Sequence, residues 1–140
     1  LFNGRRINFP TVTTTLQKLT GKKLRISVKS ELPFGTGFGL SGASALAAAY
    51  AINKLLKLNK TKKELAMAAH VAEVENGTGL GDVGGQFNGG FMAKLVRGHP
   101  LKVKRLALKE KYVYFDTPQI AYTLVVSYAK VLLDLDLESY

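Results

Sequence analysis

The chain has 140 residues, 46% of them hydrophobic, and 20 lysines and arginines against 10 aspartates and glutamates give it a net charge of +10. That length fits one ordinary domain with an adequate core. There is no cysteine, which excludes disulfides, thiolate catalysis and cysteine-based zinc sites and fits a reducing, cytoplasmic setting; no apolar run reaches the roughly 18–20 residues of a membrane span. The basic residues are spread along the chain, with no compact cluster interleaved with aromatics. They read as a solvated surface that attracts phosphates in general, and a nucleic-acid site is the lesser alternative.

In chain order, "PTVTTTLQKLT" at 10–20 predicts a short helix. Pro10 suits its first turn and Gly21 its stop. In "KLRISVK" Leu24, Ile26 and Val28 alternate with Arg25, Ser27 and Lys29, the pattern of a half-buried strand, which Pro33 ends. The glycine-rich stretch "GTGFGLSGASA" at 35–45 follows. An alanine-dominated helix is then expected from about Gly42 to Leu58; its first charge is Lys54, so its early turns should be buried on most sides. Thr61-Lys-Lys-Glu64 is a capping-box pattern opening a second helix, "KELAMAAHVAEVE", which Gly77 and the loop "NGTGLG" end. "GGFMAKLVR", "LKVKRLAL", "YVYF" and "YTLVVSYA" are strand candidates. Strands grouped in this way, rather than alternating with helices, define an α+β class.

A strand, a glycine loop and a helix start make an anion site, because helix-start N–H groups are unpaired and glycines let a phosphate approach the backbone. Gly37-Phe-Gly39-Leu-Ser-Gly42 matches the dinucleotide fingerprint G-x-G-x-x-G literally, but that site needs a second strand ending in an acid about 20 residues on. Here that region is "NKTKKELAM", lysine-rich and helical. A Walker A loop ends in Gly-Lys-Ser/Thr, and there is no lysine between Lys29 and Lys54. A protein-kinase glycine loop lies between strands, whereas a helix follows here. A glycine turn for close helix packing is the plain structural alternative.

"LPFGTGFGLSGASALAAAYAIN" resembles the phosphate-binding motif of the GHMP kinases, Pro-x-x-x-Gly-Leu-Gly-Ser-Ser-Ala before an alanine-rich helix. Pro33, Gly37, Gly39, Ser41 and Ala43 fall on it; Phe38 stands where leucine is usual, Leu40 where the first serine is, and Gly42 where an alanine is. A second block, "HVAEVENGTGLGDVGGQFNGGFMAK", resembles the family's run from metal-binding glutamate to catalytic aspartate. The spelling of both is closer still to the archaeal pantoate-kinase group. The resemblance covers roughly residues 10–128, strongest at 32–53 and 70–98.

The resemblance implies transfer of the ATP γ-phosphoryl group to a hydroxyl with the help of Mg²⁺, and in that group the conversion of pantoate to 4-phosphopantoate in coenzyme A biosynthesis. Homoserine, shikimate or a mevalonate-type alcohol are rival acceptors. A basic RNA-binding module is the rival of another class, since the fold is shared with a ribosomal-protein domain. By resemblance, Gly35, Gly37, Gly39 and Gly42, with Ser41, wrap the ATP phosphates. Ser41 is a Mg²⁺ or phosphate ligand, with a plain N-cap serine as the alternative. Glu73 shares the Mg²⁺. Glu75 is its rival two residues on, facing another side of the helix, and either carboxylate is mildly disfavoured near a helix C-terminus. Asp82 is the catalytic aspartate, accepting or orienting the substrate hydroxyl's proton, with an N-cap as the alternative. His70, one helical turn before Glu73, contacts substrate or is a core histidine. Lys94 contacts the substrate carboxylate, in a position where arginine is expected; Arg97 is its substitute. The expected partner is a small hydroxy acid, with a homodimer left open and neither nucleic acid nor membrane expected.

A complete GHMP kinase begins with strands that contribute to the acceptor site and ends with a ferredoxin-like domain. The expectation is therefore a partial chain, with residues 1–120 the N-terminal ATP-binding domain without its first strands and 121–140 the start of a truncated second domain.

Overall fold

The computed structural model describes residues 1–35, 37–90, 92–94 and 101–105, and of 92–94 and 105 the backbone alone. The strand candidates "YVYF" and "YTLVVSYA", the expected second-domain start at 121–140, and Arg97 lie outside the described residues. Threonine is a poor helix former because its hydroxyl competes for backbone groups, yet four threonines fall in α1, Pro10–Leu19. Two of them turn that competition inward. Thr13 Oγ1 donates to the Phe9 carbonyl at 3.2 Å and Thr15 Oγ1 to the Thr11 carbonyl at 2.8 Å, one turn back along the same helix. Pro10 occupies the first turn, as expected. The stop is Thr20, in extended conformation; Gly21 is not left-handed, so the expected glycine cap is absent.

The segment after α1 keeps the predicted alternation without becoming a regular strand. Val28 is buried, Leu24 and Ile26 are half-buried, and Arg25, Ser27 and Lys29 are exposed. Among the described residues its only ladder contact is a single parallel bridge, Phe2 to Val28, reinforced by Asn3, whose side chain brackets Ser30 at 2.7 and 2.8 Å. The faces follow from period 2; a strand also needs a continuous partner.

The helix α2 spans Leu40–Leu56, beginning two residues before Gly42, where the sequence reading put its start. Gly35, Gly37 and Gly39 all have positive φ, and Gly39, at 65°, is the residue from which α2 springs. Only glycine takes that conformation without a Cβ penalty. Its alanines pack into two clusters. Ala43 joins Leu40, Phe2 and Val28, while Ala45 and Leu46 meet Ala66 and Ala69 of α3 and Val83 of α4. α3 is Lys62–Glu75, and both bonds of its capping box form: Thr61 Oγ1 accepts from the Glu64 N–H at 3.3 Å, and Glu64 Oε2 accepts from the Thr61 N–H at 2.8 Å. α4 is the short Asp82–Asn88. β1, Met92–Lys94, pairs antiparallel with β2, Val103–Arg105, in the register Met92 to Arg105. Helix is thus the main regular structure of the described residues, with one two-stranded sheet among them where the sequence suggested more strand. Among them no helix is long and apolar enough to cross a membrane.

Candidate active site: a buried carboxylate pair under the glycine helix

Glu73 and Asp82 come together although the loop of Gly77, Gly79 and Gly81 separates them in sequence. Glu73 is fully buried in the last turns of α3 and Asp82, at 8% exposed, is the first residue of α4. Two glycines make the space. A Cβ at Gly42 of α2 would stand 2.7 Å from Glu73 Oε1, and a Cβ at Gly79 would stand 2.8 Å from that oxygen and 3.1 Å from Asp82 Oδ2. The two carboxylates therefore lie within about 6 Å of each other, close enough to repel when both are charged.

Their hydrogen bonding is incomplete. Glu73 Oε2 accepts from the Val83 N–H at 3.3 Å, while Glu73 Oε1 is buried with no hydrogen-bond partner. Burial first, and then the Asp82 charge, push the Glu73 carboxyl up to about 7 against the pull of the Val83 N–H; burial also raises Asp82. Asp82 does not cap α4: Gly81 is the N-cap and there is no side-chain cap bond. Its carboxylate is turned to the glycine loop and Glu73 instead.

Glu75 is elsewhere. It is exposed and paired with Lys18 of α1 at 2.8 Å, on a different face of α3 from Glu73, as a two-residue step requires. Ser41 is not an N-cap either. It is the second residue of α2, and its hydroxyl donates to Thr11 Oγ1 at 3.0 Å. Thr11 Oγ1 in turn bonds Thr78 Oγ1 at 2.8 Å, and Thr78 Oγ1 reaches the Glu73 carbonyl at 3.4 Å. Buried Gln86 of α4 donates to the carbonyl of Gly39 at 2.9 Å, tying the helix that starts at Asp82 to the glycine loop. Thr11, Thr78, Gly79 and Gln86 escaped the sequence reading. Only the glycine density of "NGTGLGD" hinted at Gly79, and nothing singled out Thr11 among its neighbouring threonines.

His70 is buried on α3, one turn before Glu73. Among the described residues no three His, Cys, Asp or Glu side chains gather in one place. Lys94 lies on β1; its side chain is outside the described residues. A separate groove of about 550 Å³ runs between another face of α1 and the extended segment, lined by Phe9, Val12, Leu16, Leu24 and Ile26. The carboxylate pair does not line it.

A left-handed glycine loop thus opens a small-residue helix over a buried carboxylate pair. The chain belongs to the GHMP kinase family: the GHMP kinases N terminal domain matches residues 8–90, more than half of it. It is 33% identical over 115 residues to a pantoate kinase of Methanocaldococcus jannaschii, covering 79% of this chain and 42% of that protein. A homoserine kinase of Thermoplasma volcanium is 36% identical over 93 residues, 65% of this chain and 29% of that protein. A galactokinase of Thermotoga petrophila is 36% identical over 90 residues, 64% of this chain and 25% of that protein. The chain thus spans less than half the length of these relatives. No solved structure gives a significant match.

Proposed function

We propose that this domain works within an ATP-dependent kinase that phosphorylates a hydroxyl of a small hydroxy acid, pantoate foremost, making 4-phosphopantoate for coenzyme A biosynthesis. The observation that carries the reading is the Glu73–Asp82 pair, buried beneath the glycine-started helix with room made by Gly42 and Gly79. Buried paired carboxylates are costly unless something compensates, and the unpartnered Glu73 Oε1 is a position that a hard cation would satisfy. Mg²⁺ typically takes one or two carboxylates and fills its shell with phosphate oxygens and water, so Glu73 with Ser41 is a sufficient protein contribution. Bound there, the ion would neutralise charge on the ATP phosphates.

The chain's own groups supply the rest. Backbone N–H groups of Gly35, Gly37 and Gly39 and of the first turn of α2 cradle phosphate. Asp82 Oδ2, with its proton affinity raised by burial, accepts or orients the proton of the acceptor hydroxyl; a carboxylate nearer neutrality is the better base. His70 and Lys94 contact the acceptor, Lys94 as a point charge where an arginine would grip with two bonds.

The test is ADP release by the full-length protein with pantoate, homoserine, shikimate and mevalonate as separate acceptors. Pantoate-dependent turnover is expected, and Asp82→Asn should lower kcat by about 100-fold or more. Turnover with homoserine alone would move the assignment to the second set of relatives, and no pantoate-dependent ADP would remove the pantoate reading.

A further inference from the structure

Hydroxyl direction separates the two roles open to Ser41. A serine has one proton to donate and two lone pairs. Ser41 Oγ donates that proton to Thr11 Oγ1 at 3.0 Å. Thr11 Oγ1 and Thr78 Oγ1 lie 2.8 Å apart, a bond in which either hydroxyl could donate; because Thr78 Oγ1 spends its one proton on the Glu73 carbonyl at 3.4 Å, the donor between the two threonines is inferred to be Thr11. The chain runs one way, from the glycine helix to the backbone of the residue that bears the buried carboxylate. Thr11 is 1% exposed on α1, and its backbone carbonyl is held by Thr15, so the relay sits on a fixed base. With its proton committed, Ser41 Oγ can offer lone pairs only.

We propose that Thr11 is a positioning residue which, by taking the Ser41 proton, makes Ser41 a cation ligand rather than a hydrogen-bond donor to phosphate. This rests on the reading of Ser41 at the MgATP site. Its consequence is that Thr11 governs the part of nucleotide affinity that depends on Mg²⁺ and leaves the Mg²⁺-free part alone.

The experiment is calorimetric titration of the full-length protein with a non-hydrolysable ATP analogue, with and without Mg²⁺. Thr11→Val, which keeps the shape and removes the hydroxyl, should cut the Mg²⁺-dependent gain in affinity about tenfold, the size of effect that partners behind a metal ligand have, with Mg²⁺-free binding unchanged. Thr11→Ser should restore the gain. In a Ser41→Ala background Thr11→Val should cost nothing further, because both act through one oxygen. Thr78→Val, at an exposed position with little folding risk, should give a smaller loss of the same kind, and it carries the test if Thr11→Val does not fold. An undiminished gain in Thr11→Val or Thr78→Val, or equal losses with and without Mg²⁺, would overturn the relay while leaving the kinase reading standing. Absence of Mg²⁺-dependent binding in the unaltered protein would overturn both.

Discussion

At the residue scale the tightest constraint is a missing side chain. Gly42 has no room for one: Glu73 Oε1 occupies the space that a Cβ would need, 2.7 Å away. Gly42→Ala gains about 1 kcal/mol of helix propensity, but it presses a carboxylate enclosed on its other side by Gly79, and overpacking costs about 1–3 kcal/mol. A net loss of about 1 kcal/mol is expected in chemical denaturation; a gain in stability would show that Glu73 has other room. The second residue-scale prediction concerns pH. Glu73 is raised from 4.5 to about 7 in the folded chain, so between those values the folded state holds a proton that the unfolded state has released. Its contribution is therefore most favourable below pH 4.5 and is lost as pH rises through about 7, by about 3 kcal/mol in the absence of metal. Melting without Mg²⁺ should show the midpoint falling from pH 5 to pH 8, and Glu73→Gln should flatten most of that slope.

At the element scale, the helices differ in how their starts are held. α3 has its capping box, written in the sequence as Thr61 and Glu64. α2 has a left-handed glycine at its start. α4 has neither, and its stretch "DVGGQFN" carries two glycines in a helical interior, which weakens it. Gly84 is buried in the packing, but a Cβ at Gly85 would meet nothing within 4 Å. Gly85→Ala should therefore stabilise the domain by about 0.5–1 kcal/mol, read as a raised denaturation midpoint. A loss would show that the open space beside Gly85 is not available to a methyl group in the folded chain.

At the scale of the molecule, α2 is the wall between two cores. Phe2, Val28 and Leu40 pack on one side of it, and Ala66, Ala69 and Val83 on the other. Fully buried alanines on both helices let α2 and α3 approach closely, and that approach brings Gly42 against Glu73. The core and the site therefore share one spacing. Ala45→Leu, at a position with no exposure, should cost about 1–3 kcal/mol and should weaken nucleotide binding as well, because widening the helix pair moves Gly42 from Glu73. Unfolding and analogue titration on the same variant test this together; a destabilised variant with unchanged affinity would separate core from site.

Local chemistry was legible without the structure. Proline at a helix start, a threonine–glutamate box, glycines before an alanine run, and alternation at Leu24, Ile26 and Val28 are all decided within a few residues, where propensity and hydrogen bonding act on near neighbours. The two glycine-rich blocks also pointed to the family. The tertiary structure decided what depends on distant partners. It turned the alternating segment into one bridge rather than a strand, started α2 at Leu40, and freed Asp82 and Ser41 from the capping roles that their positions suggested. It also set Glu73 apart from Glu75 by burying one and pairing the other with Lys18. The Thr11 hydroxyl acquires meaning only when α1, α2 and the Thr78 loop meet, because a hydrogen bond across 67 residues leaves no periodic trace along the chain.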